Sequence, residues 1–246
     1  DNPIQLVGLY KKLENTDHPY GKHYNRSLPF APYNDATYRF CPYSSNSRKV
    51  SKESRKKEMS NYERSVYHAV RDYFDLAVYI IQQDTGIYIG ERMARRILED
   101  YMLEEGYMYY WATLYNIPWM LLYFLRPRPC YGLEVRIGSP LEAFLSGRKD
   151  VRLIQGSHKG YVKVDKAEHF LNLSFVSILH DRKVISDEVK ETLHFNVFLN
   201  DDNFPSKELF GVDLEINEFR FPALVSHAKY RQQWLINLAK ESMPEI

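Results

Sequence analysis

The sequence predicts an α+β fold, with an antiparallel β-sandwich core, an extended N-terminal arm and several helices. Three observations predict it. Residues 1–47 are rich in Tyr, Pro and Asn, which excludes a long helix there. Residues 60–105 then carry two amphipathic helical patterns. From residue 107 onward, short apolar or alternating segments follow one another until a last helical pattern near the end.

The chain divides at the end of a basic segment. Residues 1–59 form a Tyr- and Pro-rich arm with that segment, and residues 60–246 form one α+β domain. A chain of 246 residues can bury most of its apolar surface in a single core. An irregular arm of this length needs contacts that hold it, and neighbouring subunits are one source of them.

The first helix begins with a capping box, in which Ser60 caps and Glu63 reaches back three residues later. Apolar side chains then recur at three- and four-residue spacing, which predicts a helix over about 60–83. A second helix is expected from Glu91 to Glu105, with Gly106 as its stop. The side chains expected to face inward are Val66, Tyr67, Val70, Phe74, Ala77, Val78 and Ile81 in the first helix and Met93, Ile97, Leu98, Tyr101 and Met102 in the second.

The remaining segments are interpreted mainly as strands. Residues 107–115 and 119–125 are aromatic and apolar, which indicates buried strands. Residues 212–221 alternate cleanly, with Asp213 and Glu215 on the polar face. A last helix is expected over 226–242. The further strand candidates are 132–137, 160–164, 171–179 and 192–199, the last followed by a turn at 201–203.

Composition excludes several classes of protein. The 33 Lys and Arg against 32 Asp and Glu give a net charge of +1, which argues against a strongly basic nucleic-acid coat or an acidic tail protein. The longest apolar run, 117–125, is far shorter than the roughly 20 residues that span a bilayer. With no signal-peptide pattern at the start, we expect a soluble protein without membrane partners. Cys41 and Cys130 are too few for a disulfide framework, and one bridge or two thiols both remain open.

Residues 48–57 carry six basic side chains in ten positions. The simplest interpretation is a solvated loop before the first helix. A second is a nuclear localisation signal with Arg55, Lys56 and Lys57 at its centre. A third is a nucleic-acid patch, which the lack of a matching basic excess elsewhere disfavours.

No catalytic constellation emerges from the motifs. Glycine-rich phosphate loops and a GxSxG elbow are absent, and the eight histidines form no metal-binding motif. Asp213 and Glu215 share a strand face, as the carboxylates of metal-dependent nucleases do, but Asn217 stands where such an enzyme usually has Lys. The polar face of a half-exposed strand is the favoured interpretation. We therefore predict no catalytic residue, metal or cofactor, and a structural or binding protein rather than an enzyme.

One segment resembles a known family. In residues 117–135 (IPWMLLYFLRPRPCYGLEV), an apolar segment runs into Arg126-Pro127-Arg128-Pro129 and then Cys130-Tyr131. This resembles the polyhedrin/granulin family, the occlusion-body matrix proteins of baculoviruses. Residues 91–100 (ERMARRILED) and the basic run before the first helix are similar to segments of that family. The Arg-Pro element is shorter here, which suits a divergent relative from another insect virus.

The resemblance implies a self-assembling protein with a jelly-roll-like sandwich. It would crystallise in the nucleus of the infected host cell, embed virions in occlusion bodies and dissolve in alkali. Under this hypothesis Arg55, Lys56 and Lys57 carry nuclear import. Arg126, Arg128 and Tyr131 lie at a lattice contact, unless the Arg-Pro element is only a rigid strand exit. Cys130, with Cys41, is the candidate for a disulfide within or between subunits.

Composition is compatible with alkaline dissolution. The chain has 20 Tyr, whose hydroxyls titrate near pH 10, close to Lys. Full ionisation of Tyr and neutralisation of Lys moves the net charge to about −35. Two other functions stay open. The first is a viral or bacterial nucleic-acid-associated protein that uses residues 48–57. The second is a metal-dependent nuclease that uses Asp213 and Glu215.

Overall fold

A computed structural model describes residues 2–10, 18–24, 26–41, 43–44, 50–186, 188–200, 207–227, 229 and 231–246. It is an α+β fold with antiparallel sheets and a sandwich-like core, 35% helix and 29% strand, which confirms the predicted fold class. Within these ranges, no helix is both long enough and apolar enough to cross a membrane.

The described part of the N-terminal arm consists mostly of extended segments and turns, as predicted. Strands β1 (Ile4–Val7) and β2 (Tyr20–His23) form an antiparallel pair. A five-residue helix, α1 (Asp35–Arg39), follows. The Asn2 side chain closes the arm on itself, since it accepts from the Asn34 backbone N–H at 2.6 Å and donates to the Asn34 carbonyl at 2.9 Å.

Helix α2 (Asn61–Thr85) begins at the predicted capping box. The Tyr62 N–H donates to Ser60 Oγ at 3.2 Å, and the Ser60 N–H donates to Glu63 Oε2 at 2.9 Å. Gly86 ends the helix with φ of 73°, a left-handed conformation that glycine adopts without strain. The seven side chains predicted to face inward are all buried.

Helix α3 (Glu91–Leu103) ends two residues earlier than predicted. Glu105 takes the left-handed conformation, with φ of 47°, and Gly106 starts a single 3₁₀ turn, Gly106–Met108. A Cβ on Gly106 would lie 2.3 Å from the Tyr101 ring. Gly106 is therefore required by close packing rather than by the helix end.

The prediction of buried strands over 107–115 and 119–125 is wrong. The first segment is the 3₁₀ turn followed by irregular turns, and the second lies mostly in helix α4 (Ile117–Phe124). Pro118 sits in the first turn of α4, where it costs no hydrogen bond. All eight residues of α4 are buried, so its sequence has no polar face and its apolar run carries no helical period.

Two antiparallel sheets follow. The strands are β3 (Arg128–Pro129), β4 (Glu134–Arg136), β5 (Val151–Gln155), β6 (Tyr161–Lys166), β7 (Leu173–Ile185), β8 (Glu188–Leu199) and β9 (Lys207–Glu215). The four-stranded sheet has the order β3-β7-β8-β9, and the three-stranded sheet has the order β4-β6-β5. Helix α5 (Pro140–Ser146) lies between β4 and β5 in the chain. The predicted turn at 201–203 lies outside the described residues.

The C-terminus corrects a second prediction. The alternating strand ends at Glu215, and two helices follow it instead of one: α6 (Arg220–His227) and α7 (Gln233–Ser242). Pro222 stands in the first turn of α6, where a proline favours a helix start. Helices α2, α3 and α7 pack together, and α4 connects them to β7 of the larger sheet.

Candidate functional site

The basic segment is part of the fold. Arg55 Nε donates to the Glu104 carbonyl at 2.6 Å, and its guanidinium lies 3.7 Å from the Glu104 carboxylate. Lys56 forms an ion pair with buried Glu63 at the start of α2. Lys57 is exposed. The interpretation as a solvated loop is therefore wrong for Arg55 and Lys56, because both cations neutralise carboxylates of the domain. Nuclear import through this segment stays a prediction.

Two cations of this segment also cover aromatic rings of α4. Lys52 Nζ lies 5.1 Å from the Tyr123 ring centre, and the Arg55 guanidinium carbon lies 4.8 Å from that of Phe124. Burial lowers the pKa of Lys52 and of Arg55. Such desolvated cation–π contacts stabilise the fold and occupy the charges that would bind phosphates. Arg48 and Lys49, the first basic residues of the segment, lie outside the described residues.

The Arg-Pro element, residues 126–129, forms hydrogen bonds to helix α3. Buried Asp100 accepts from the Arg126 backbone N–H at 3.0 Å and from Arg128 Nη2 at 2.6 Å, both through Oδ2. Arg126 Nη2 also lies 3.3 Å from Glu104 Oε1. The element leaves a helix rather than the predicted strand, and its contacts with Asp100 and Glu104 hold it against α3. Arg126 keeps about half of its side chain exposed, 52%, and remains accessible to a neighbouring molecule.

Tyr131 is anchored to its own chain. Its hydroxyl donates to the Leu171 carbonyl at 2.7 Å, and burial raises its pKa to about 12. The lattice contact predicted for Arg126, Arg128 and Tyr131 stays a prediction, since Arg128 and Tyr131 already have partners inside the chain.

The disulfide predicted within the chain is absent, and one between subunits stays a prediction. Cys41 and Cys130 are both free thiols, and Cys130 is buried in the core at 1% exposure. Burial raises the pKa of the Cys130 thiol to about 12, so it is a poor nucleophile. A bond from Cys130 to another subunit would require the core to open.

Asp213 and Glu215 do share a face, as the alternation predicted, and both line a cavity of 340 Å³ with Asp84 and Arg220. However, Asp84 Oδ1 accepts from Arg220 Nη1 at 2.6 Å, and its Oδ2 accepts from Trp119 Nε1 at 3.0 Å. Within the described ranges, His, Cys, Asp and Glu form no group of three or more suited to a metal ion. The arrangement gives no support to nuclease chemistry.

A surface histidine holds two carboxylates between β8 and β9. His194 Nδ1 lies 2.7 Å from Asp213 Oδ1, and its Nε2 lies 2.9 Å from Glu208 Oε2. Although partial burial opposes it, the hydrogen bonds to these carboxylates raise the pKa of His194. Asn196 and His194 lower the pKa of Glu208 in turn. The imidazole thus joins two neighbouring strands through charge.

A connected polar group lies in the core, and no sequence motif marks it. Glu191 on β8 is its centre. Its Oε1 lies 2.8 Å from His180 Nε2 and accepts from Asn116 Nδ2 at 2.7 Å. Its Oε2 accepts from Tyr115 OH at 2.8 Å and lies 3.1 Å from Arg182 Nε, a charge contact rather than an aligned hydrogen bond. We call these residues, with Tyr109, the Glu191 network; the Tyr109 hydroxyl lies 3.2 Å from His180 Nδ1.

A β-bulge places His180 inside. The register of β7 against β8 shifts between Ile178 and His180, and the extra residue, Leu179, has φ of 55° and is 69% exposed. Without it, strict alternation would bury position 179 and expose position 180. A left-handed conformation is uncommon for leucine, so the strand accepts local strain to bury an imidazole beside a carboxylate.

Burial, hydrogen bonding and the charge of Arg182 together set the protonation states of the Glu191 network. It lowers the pKa of His180, which favours the neutral imidazole. Burial also acts against ionisation of Glu191, but hydrogen bonding to His180 and the charge of Arg182 hold its pKa below the ordinary value. The pKa values of Tyr109 and Tyr115 are raised, mainly by burial. The His180 side chain is fully buried, so a substrate cannot reach it in this fold. The network joins the irregular segment 107–115 to the hairpin formed by β7 and β8.

Sequence reasoning could not find this network. His180 and Glu191 are eleven positions apart on different strands, and only the bulge at Leu179 brings them to one face. Comparison with known proteins adds no functional assignment, because no family model, curated protein or solved structure matches the chain.

Proposed function

We propose that the chain is a structural protein that assembles with copies of itself into a crystalline matrix. In the setting implied by the resemblance, the matrix is an occlusion body that embeds virions in the nucleus of an insect cell and dissolves in alkali. The observation that carries this proposal is the apolar surface of the N-terminal arm, which the chain itself leaves exposed.

The arm is built like half of an interface. Ile4 and Leu6 on β1 are 59% and 66% exposed, and Phe30 is 84% exposed. A two-stranded sheet is marginally stable by itself in water. Clustered exposed apolar side chains on a small element are typical of surfaces that become buried on association. A second copy of the chain is the partner that is always present at equal concentration.

Charge favours association over repulsion. The net charge is +1, so copies do not repel one another strongly near neutral pH. Two cations of the basic segment are occupied inside the domain, Arg55 with Glu104 and Lys56 with Glu63. These ion pairs favour self-assembly over binding of nucleic acid.

Buried tyrosines make the folded chain less stable at alkaline pH. Tyr101 and Tyr109 are completely buried, and burial raises both pKa values. Their ordinary pKa is near 10, so above that pH the unfolded chain releases protons that the folded chain retains. Folding stability contributed by the neutral hydroxyls is therefore lost as the pH rises above 10. An alkaline medium loosens each subunit while it makes the subunits repel one another.

The proposal is tested by expression in insect cells. We expect micron-sized nuclear inclusions that give powder diffraction at neutral pH and dissolve once the pH passes about 10.5, where tyrosine ionises. Diffuse protein that gives no diffraction would contradict the proposal. In that case, salt-dependent binding to RNA or DNA would identify the nucleic-acid-associated alternative.

A further inference from the structure

A cavity of 460 Å³ lies between the start of α3 and the segment that carries β3 and β4. Arg92 and Arg96 of α3 line it from one side, and Arg128 of β3 lines it together with Tyr131. Tyr88, just before α3, adds an aromatic wall. The volume is in the range of small-molecule pockets, which start near 300 Å³. Guanidinium groups next to flat rings suit an anion that carries or adjoins a planar group.

The walls of this cavity are held in place by other contacts. Arg128 is fixed by its bond to Asp100 at 2.6 Å, and Tyr131 is fixed by its bond to the Leu171 carbonyl at 2.7 Å. The Tyr88 ring stacks on His158, with 3.7 Å between ring centres. A ligand would therefore meet a preformed surface, which lowers the entropic cost of binding.

The two carboxylates in the lining already have partners. Glu134 accepts from the backbone N–H groups of Ser157 and His158 at 3.0 Å each, and His158 Nδ1 lies 2.9 Å away. These hydrogen bonds hold the pKa of Glu134 below its ordinary value, although burial opposes them. The other carboxylate of the lining, Glu91, lies 3.6 Å from Arg95.

Arg92 and Arg96 keep N–H donors that no described residue uses. Arg96 uses Nη1 for Glu99 at 2.6 Å, and a guanidinium has five N–H groups. Arg92, as far as the described residues extend, has no ion-pair or hydrogen-bond partner. Gly90 precedes the first turn of α3 and has no side chain to cap it, so backbone N–H groups of this turn add to the donors.

We propose that this cavity binds the phosphate group of a small phosphorylated compound, with Arg92 and Arg96 as its main ligands. Arg128, whose charge is paired with Asp100, forms part of the opposite wall, and the Tyr88 and Tyr131 rings contact the organic part. This binding is independent of assembly and does not rest on the proposed matrix function.

Equilibrium binding with radiolabelled pyrophosphate tests the proposal on the whole chain, in solution or as washed crystals. Phenyl phosphate serves as a competitor with a ring, and phenol serves as the same ring without phosphate. We expect saturable binding of pyrophosphate, displacement by phenyl phosphate and none by phenol. Arg92→Gln should weaken binding at least about tenfold, since a charged hydrogen bond is lost.

Arg64→Gln is the matched control. Arg64 is an exposed arginine of α2 outside the cavity lining, so this variant should bind within about twofold of the wild type. The thermal midpoints without ligand should agree among the three proteins, which excludes a folding defect. The proposal is overturned if pyrophosphate does not saturate, if phenyl phosphate fails to displace it, if phenol competes equally, or if Arg64→Gln weakens binding as much as Arg92→Gln.

Discussion

The N-terminal arm and the domain that follows it, residues 60–246 and here called the body, use the same kinds of side chain in opposite ways. In the body, Phe74 on α2 and Tyr101 on α3 are fully buried. In the arm, Leu6 and Phe30 are 66% and 84% exposed. The body thus completes its own core, whereas the arm presents apolar surface that the described residues do not cover. The difference teaches that stability resides in the body, while the arm offers the surface for the association that we propose.

The largest effect is expected from a substitution at Glu191, the centre of the Glu191 network in the body. Glu191→Ala leaves Arg182 and the neutral His180 without their buried carboxylate, so the free energy of unfolding should fall by about 3–5 kcal/mol. Urea denaturation followed by tryptophan fluorescence measures it.

Glu188→Ala is the control for this variant, since Glu188 lies on the same strand and pairs with Lys190 at the surface. Its effect should stay below about 1 kcal/mol. Equal losses in the two variants would show that the network does not stabilise the body.

The next effect is the response of the body to alkali. Tyr101 and Tyr109 retain their protons in the folded chain and lose them near pH 10 in the unfolded chain. The free energy of unfolding should therefore fall by about 3 kcal/mol from these two residues between pH 9 and 11. Denaturation curves at a series of pH values measure this slope.

Tyr101→Phe separates the contribution of Tyr101 from that of Tyr109. The Tyr101 hydroxyl is buried and has no hydrogen-bond partner among the described residues, so the variant should be at least as stable as the wild type at neutral pH. In this variant, the fall in the free energy of unfolding with rising pH should be about half of the fall in the wild type. An unchanged slope would contradict the assignment of this pH dependence to the buried tyrosines.

A smaller effect is expected at the Arg-Pro element. Asp100→Ala removes the acceptor of the Arg126 backbone and of Arg128, and should cost about 1.5–3 kcal/mol. Glu99→Ala on the same helix removes an exposed partner of Arg96 and should cost less than about 1 kcal/mol. If Asp100→Ala is as mild as Glu99→Ala, the element does not fasten the body.

Sequence reasoning succeeds where local chemistry decides the structure. The capping box of Ser60 and Glu63 and the apolar period behind it locate α2 to within two residues at either end. It fails at α4, because a helix buried on every side has no polar face to reveal its period. The Arg-Pro residues were identified from sequence, but their partner Asp100 is 28 positions away from Arg128 and is fixed only by packing.

The central claim is that the arm carries association, and one matched pair of variants tests it most directly. Leu6 in the arm and Leu103 at the end of α3 are 66% and 65% exposed. As surface substitutions, Leu6→Gln and Leu103→Gln should each change the free energy of unfolding by less than about 0.5 kcal/mol.

The measurement is powder diffraction from insect cells that express each variant at equal levels. We predict that Leu103→Gln forms diffracting inclusions as the wild type does, and that Leu6→Gln remains dispersed and folded. Diffracting inclusions of Leu6→Gln equal to those of the wild type would contradict the account.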